Sequence, residues 1–326
     1  MFRPLHSRGW LALPLCAGVL LAQPPTTIRV NVNLVHAIAT VKNKSGELVG
    51  ALQKEDFEVY DNGSHQEIAV FERTTSQPLS IALLVDVSGS TAKELKYEGD
   101  AASRFLKSLL TEGNPDDVVA LYTFNYEVVR VKNFTHDYKS LESKLKMLHG
   151  EAGTAVYDAM YLAARDLEPR DGRKVIVVVT DGGDTFSKST LKDALQEAQL
   201  ADAVIYPVVV LPITNDAGRN IGGENALKYI ADGTGGRAQY PAVGGELDRA
   251  FADIVTELRT QYLIGFYPQN VPLTKSPFHK LEVRVKRPEL QVSARNGYYG
   301  DVEGGSGAAG ARISVTPDRK PKPQER

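Results

Sequence analysis

The sequence predicts an α/β domain with a doubly wound, mostly parallel sheet, inserted in a β-sandwich formed by strands from the two ends of the chain. Three observations predict it. Strand and helix patterns alternate from Ser80 to Arg259, as they do in a parallel sheet covered on both faces. The segments before and after this stretch show strand patterns and no helical period. The three strands after Thr260 are few for a sheet that must bury a face, so pairing them with residues 26–73 as one sandwich is the economical arrangement.

The elements follow in order. Arg3 and Arg8 precede an apolar run from Trp10 to Leu21, broken by Pro14, and then Ala22 before Gln23-Pro24-Pro25. That is the layout of a secretory signal peptide over residues 1–22, too short for a membrane span. Cys16 follows Pro14-Leu15 rather than a small residue, so lipidation is not expected. Cleavage near Ala22 removes the single cysteine and two of the 38 basic residues, leaving a net charge of −4 instead of −2. One cysteine excludes an internal disulfide or a thiolate metal centre, and the absence of a basic excess argues against nucleic acid.

Residues 26–75 read as the first half of the sandwich. Ile28, Val30, Val32 and Leu34 alternate in one phase, and Val35, Ala37, Ala39 and Val41 in the other, which predicts a bulge near Leu34-Val35. Phe57–Tyr60 and Ile68–Phe71 are expected to form a hairpin around Asp61-Asn62-Gly63. In residues 78–260, buried strands are expected at Ile81–Val85, Val118–Tyr122, Val175–Val179 and Val204–Val210, with an edge strand at Val128–Val131. Helices are expected from Leu95 to Leu109 and near Tyr138–Leu148, Val156–Leu167, Leu191–Leu200, Asn225–Ala231 and Glu246–Arg259. Residues 261–300 supply strands at Tyr262–Tyr267, Leu281–Val285 and Gln291–Ala294, and residues 301–326 have the composition of a disordered tail.

The chemistry concentrates where the first α/β strand ends, at Asp86-Val87-Ser88-Gly89-Ser90. Open α/β sheets bind ligands outside the carboxyl ends of their strands. Asp86, Ser88 and Ser90 offer one carboxylate and two hydroxyls, Asp181 adds a carboxylate at the end of another strand, and Thr154 adds a hydroxyl before a helix. An all-oxygen set suits a hard divalent cation such as Mg²⁺, Mn²⁺ or Ca²⁺. Helix capping by the hydroxyls would not require two aspartates at two strand ends.

Asp86-x-Ser88-x-Ser90, Thr154 and Asp181, in this order, resemble the metal-ion-dependent adhesion site of the von Willebrand factor type A domain. The wider layout, with Asp56–Val59 before the domain and Tyr262–Tyr267 and Gly297-Tyr298-Tyr299 after it, is similar to a secreted bacterial family of type A-related proteins known largely from acidobacterial genomes. The resemblance implies Ser88 and Ser90 as direct ligands, Thr154 as a ligand whose contact varies with state, and Asp86 and Asp181 as charged ligands or water-mediated ones. It implies Mg²⁺ first, with Mn²⁺ or Ca²⁺ as alternatives, and an open coordination position for an acidic group on a partner protein. In family members of the integrin type the last helix moves with the site; here the attached sandwich is expected to limit or sense such a movement, the alternative being a packed helix with no switching role.

The expected function is therefore cation-dependent protein or ligand binding without catalysis, in an extracytoplasmic protein. The alternative is a structural or assembly subunit of an envelope complex whose metal site is stabilising or vestigial. Enzymatic readings fare worse. Ser88 occupies the position where an aspartyl phosphatase needs a second Asp, and Asp86 and Ser90 replace the glycines of a nucleophile elbow. Glycoside hydrolysis by Asp86 and Asp181 stays formally open. His36, His65, His136, His149 and His279 are scattered, and Gly222-Gly223 and Gly233–Gly236 read as turns. Asp184 and Thr185 lie near the site in what reads as a solvated loop, and specificity is expected in the loops around Phe186 and Thr214–Gly223.

Overall fold

The structure, a computed structural model, describes residues 34–73, 77–89, 91, 94–150, 153–211, 220–272 and 276–300. The expected signal peptide, the strand pattern from Ile28 to Val32, Ser90 and the tail from Asp301 lie outside them.

The amino-terminal strands are β1 (Val35–Lys42), β2 (Phe57–Asp61), β3 (Ser64–Gln66) and β4 (Ile68–Arg73). In β1 the odd positions Val35, Ala37, Ala39 and Val41 are buried, as the alternation requires. Asn62 and Gly63 both have positive φ (46° and 85°), the backbone of a type I′ turn, so the Asn-Gly signal does make a hairpin. Its second arm differs from expectation: β2 pairs with the short β3, whereas Ile68–Arg73 leaves for another sheet.

The chain then builds the α/β layer. It runs through β5 (Leu79–Asp86), α1 (Leu95–Glu112), β6 (Val118–Phe124), β7 (Val128–Thr135), α2 (Tyr138–Leu145), α3 (Val156–Leu167), β8 (Arg173–Thr180), α4 (Leu191–Leu200), β9 (Ala203–Val209), α5 (Ile221–Thr234) and α6 (Gly245–Leu258). The sheet order is β7-β6-β5-β8-β9, parallel except for the antiparallel edge strand β7. Every residue of β5 is buried because the strand is central and helices cover both faces. Its Leu79, Ile81, Leu83 and Val85 pack with α1, α2 and α6, and its Ala82 and Leu84 with α3, α4 and α5. Phe105 of α1 and Phe251 of α6 stack at 4.9 Å in the first of these cores.

The chain returns to strands with β10 (Tyr262–Phe266), β11 (Phe278–Val285), β12 (Gln291–Ala294) and β13 (Gly297–Tyr299). Two four-stranded sheets result, β12-β1-β10-β4 and β13-β11-β2-β3, each mixing strands from both ends of the chain. Their facing sides share one core containing Phe57, Val59, Tyr262, Phe266, Val283 and Tyr298. The α/β domain is thus inserted into a sandwich. β13 was not expected as a strand, and α5 starts four residues before Asn225.

The two layers are bolted together at the carboxyl end of α6. Arg173 at the start of β8 is buried and donates to the Leu258 carbonyl and to Gln261 Oε1, while Gln261 Nε2 donates to Thr40 of β1 and to Tyr206 of β9, both at 2.8 Å. Buried Glu257 meets Lys42 of β1 at 2.8 Å and Arg237 at 3.3 Å, and Arg259 pairs with buried Asp117.

Candidate metal-ion site

Asp86 ends the central strand and is fully buried. Both of its carboxylate oxygens are engaged. The Ser88 N–H donates to Oδ1 at 2.8 Å, closing a turn of the kind aspartate favours, and the Thr180 hydroxyl donates to Oδ2 at 2.6 Å. The Thr91 hydroxyl lies 3.1 Å from the carbonyls of Asp86 and Ser88 and secures the loop from below. Burial pushes the Asp86 carboxyl up to about 6, opposed by the hydrogen bonds from Thr180 and Ser88 and reinforced by the charge of Asp181.

The register of β5 and β8 pairs Val85 with Val179, so Asp86 and Thr180 end their strands at one level and Asp181 follows directly. The Asp181 loop is shaped by Gly182, whose φ of 101° favours glycine, and it is braced by α5. A Cβ on Gly223 would fall 1.4 Å from the Gly182 carbonyl oxygen, so the first turn of α5 lies directly against the loop. Gly222-Gly223 is therefore helical, with Asn220 capping Gly223 at 2.8 Å, rather than a free turn.

Thr154 is buried at the start of α3. Its N–H donates to the Thr185 hydroxyl at 3.0 Å, and its carbonyl accepts from Thr185 and Phe186 at 2.8 and 3.0 Å. Asp184 accepts from Ser187 at 2.5 Å, and Asp158 of α3 caps Lys188 and Ser189. The 184–189 segment is accordingly a latch holding the Asp181 loop to the Thr154 loop, not a solvated excursion. Exposed Tyr126 and Phe186 meet edge to face at 6.2 Å beside this latch, with Tyr126 against Gly153.

The structure thus brings Asp86 and Ser88 into one hydrogen-bonded loop, couples Asp181 to Asp86 electrostatically, and ties the Thr154 loop to the loop that follows Asp181. Ser90 lies outside the described residues. Among the described residues no three His, Cys, Asp or Glu side chains form a metal-holding group, so hydroxyl oxygens have to complete any coordination set. Asp86, Ser88, Thr154 and Asp181 are the oxygen donors a hard cation takes, and the excess negative charge suits one.

Two contributors escaped the sequence reading. Thr180 holds Asp86 through a cross-strand contact. Glu98 of α1 is 1% exposed, and its Oε2 has no hydrogen-bond partner. Burial pushes its carboxyl up to about 9, and the negative charges of Asp86, Asp181 and Glu94 add to the rise. The available signal was helical phase, since Glu98 lies three residues after Leu95 and four before Ala102 on the apolar face.

A measurable pH dependence follows for the chelated protein. Folded Glu98 keeps a proton that the unfolded chain releases above about pH 4.5, so stability falls as pH rises from there toward 9, by on the order of a few kcal/mol. Melting in chelator should decline between pH 6 and pH 9 and decline much less in Glu98→Gln. Parallel profiles for the two proteins would contradict this.

Residues 81–183 match the von Willebrand factor type A domain family. This chain carries a type A domain. The matched stretch runs from β5 to the loop after β8 and contains every predicted ligand. Similar solved structures include the conserved hypothetical protein BatB from Bacteroides thetaiotaomicron, 20% identical over 55% of this chain and 98% of that one, with a TM-score of 0.45. The vWF domain of the type V pili tip protein Mfa5 from Porphyromonas gingivalis is 16% identical over 56% and 95%, with a TM-score of 0.48. The open conformation of the pilus adhesin SpaC from Lactobacillus rhamnosus GG is 10% identical over 75% and 47%, with a TM-score of 0.48. No curated protein matches the chain. A type A domain suggests a protein-binding or adhesion-type function. Among the described residues no helix is long and apolar enough to cross a membrane.

Proposed function

We propose that the type A domain of this protein binds a protein partner through a divalent cation held by Asp86, Ser88, Ser90, Thr154 and Asp181, without catalysis. The observation that carries the reading is the buried, doubly hydrogen-bonded Asp86 beside Ser88 and within electrostatic reach of Asp181, at the carboxyl end of the sheet. A bound cation, Mg²⁺ first and Mn²⁺ or Ca²⁺ otherwise, would offer positive charge and an open position to an acidic side chain of the partner. The chain's own residues do the rest. Thr180 and the Ser88 N–H fix the Asp86 carboxylate, the Thr185 latch sets Thr154, and α5 braces the Asp181 loop. Tyr126 and Phe186, exposed beside Thr154, provide apolar contact area next to the cation for the partner residues that flank the acidic group. The leader-like residues 1–22 support an extracytoplasmic setting for this binding.

Thermal melting of the full chain with Mg²⁺, Mn²⁺, Ca²⁺ or chelator tests the cation, since a ligand that prefers the folded state raises its stability. The wild type should melt several degrees higher with the preferred ion, and Ser88→Ala combined with Asp181→Ala should erase the rise. Capture of a partner from an extracytoplasmic fraction should be abolished by chelator and by the same double substitution. An unchanged melt together with unchanged capture in the variant would end the reading.

A further inference from the structure

Two large aromatic side chains stand in the open beside Thr154. Tyr126 is 52% exposed and Phe186 is 60% exposed, and their rings meet edge to face at 6.2 Å. Neither belongs to the cores on the two faces of the sheet, so the packing of the domain does not require them there. Scattered exposed apolar residues are ordinary, whereas a touching pair held beside a candidate binding site marks a contact surface.

The supports of the pair are rigid. Tyr126 sits in the turn between β6 and β7, where the Asn125 N–H donates to the Glu127 carbonyl at 3.1 Å and the Glu127 N–H donates to Asn125 Oδ1 at 2.8 Å. Gly153, with a φ of 84°, brings the following loop so close that a Cβ there would lie 3.0 Å from Tyr126 Cβ. The Phe186 N–H donates to the Thr154 carbonyl at 3.0 Å. Both rings are thus tied to Thr154 or to the residue before it. An anchor set before binding gives up little conformational freedom when a partner covers it, and aromatic rings supply much contact area at low entropic cost.

The position of the rings defines what can cover them. An extended peptide advances about 3.3 Å per residue, so a partner residue that reaches the Thr154 loop places its immediate neighbours over the pair. Exposed Glu127 follows Tyr126, and exposed Lys188 lies two positions after Phe186, so charges of both signs rim an apolar centre. We infer, on the strength of the cation-binding reading above, that Tyr126 and Phe186 read a bulky apolar side chain within two residues of the partner's acidic group. The ligand is then a short acidic and apolar segment rather than any exposed carboxylate.

Short random peptides displayed on phage are the probe, selected on the immobilised full chain in Mn²⁺ and released with chelator. Released peptides should carry Asp or Glu with Leu, Ile, Phe, Met or Trp one or two positions away. The same selection on Tyr126→Ala combined with Phe186→Ala should keep the acidic residue and lose the apolar preference. A peptide chosen on the wild type should bind that variant about tenfold more weakly. Melting with and without Mn²⁺ is measured alongside, and the variant should keep the wild-type rise because neither residue belongs to the proposed cation set. Acidic peptides with no apolar preference, a basic neighbour in its place, or an apolar preference that survives in the variant would overturn the inference and leave the cation reading standing. A Mn²⁺-induced rise without released peptides would overturn it too. A wild type that neither melts higher in Mn²⁺ nor yields chelator-released peptides would end the cation reading and the inference with it.

Discussion

Asp86→Asn should abolish the cation-induced rise in melting temperature while leaving the chelated protein at least as stable as the wild type. Asparagine keeps the size of the side chain and an oxygen for the Ser88 N–H, so the turn at the end of β5 survives. It removes a charge that burial already disfavours, as the upward shift to about 6 records. The proposed site, however, loses its buried carboxylate, and the amide that replaces Oδ2 meets the Thr180 hydroxyl as a second donor. A wild type that holds the ion as proposed gains about 2.7 kcal/mol at a hundredfold excess of ion over its Kd. Differential scanning calorimetry with and without ion should show that gain in the wild type and none in Asp86→Asn. A variant that keeps the full rise would show that the ion binds elsewhere.

The second large effect is expected at Arg173. Its buried guanidinium joins β8 to the Leu258 carbonyl and Gln261, where the inserted domain hands the chain back to the sandwich. Burial lowers its proton affinity to about 10, which leaves it charged near neutrality. Arg173→Met keeps much of the aliphatic stem but strands a buried carbonyl and a buried amide, at a cost of about 3–5 kcal/mol. Urea unfolding followed by far-ultraviolet circular dichroism should show the loss. Gln261→Leu should add little to it because the two residues share one network. A loss under about 1 kcal/mol would show that the junction is not a clamp. The same contacts bear on the last helix of the domain. Sliding α6 along its axis would have to break Glu257 from Lys42 and Arg237, Leu258 from Arg173, and Arg259 from Asp117. Of these partners only Lys42 belongs to the sandwich, and the other three hold α6 within its own domain.

Much of this was readable from residue patterns, and the exceptions have physical causes. Val156–Leu167 and Leu191–Leu200 have the bounds the helical period predicts, because α4 carries a Thr190 and Asp193 capping box and α3 is apolar along one face. The misassigned hairpin arm has the opposite character. Alternation shows that Ile68–Arg73 is a strand and which of its faces is buried, but carries no information on which sheet it joins. β13 has three residues, too few to display a period. The start of α5 was masked by Gly222 and Gly223, the second of which lies against the Gly182 carbonyl, a contact between distant parts of the chain. At the site, the oxygen donors were visible as residue types at strand ends. The Thr180 to Asp86 bond depends on the β5–β8 register, which neither strand specifies locally.

The mixed sheets impose an order of events on the nascent chain. β1 has only β10 and β12 as neighbours, and Val35 pairs with Phe266, so nothing can complete that strand until the whole α/β layer has been synthesised. Contacts this distant in sequence are slow to close. The inserted layer, whose paired strand residues are at most about 95 positions apart, is positioned to fold first and bring the two ends of the chain together. Until then the amino-terminal strands present unpaired edges that would pair with another chain as readily as with their own. The yield of native protein should depend on how quickly the inserted layer forms.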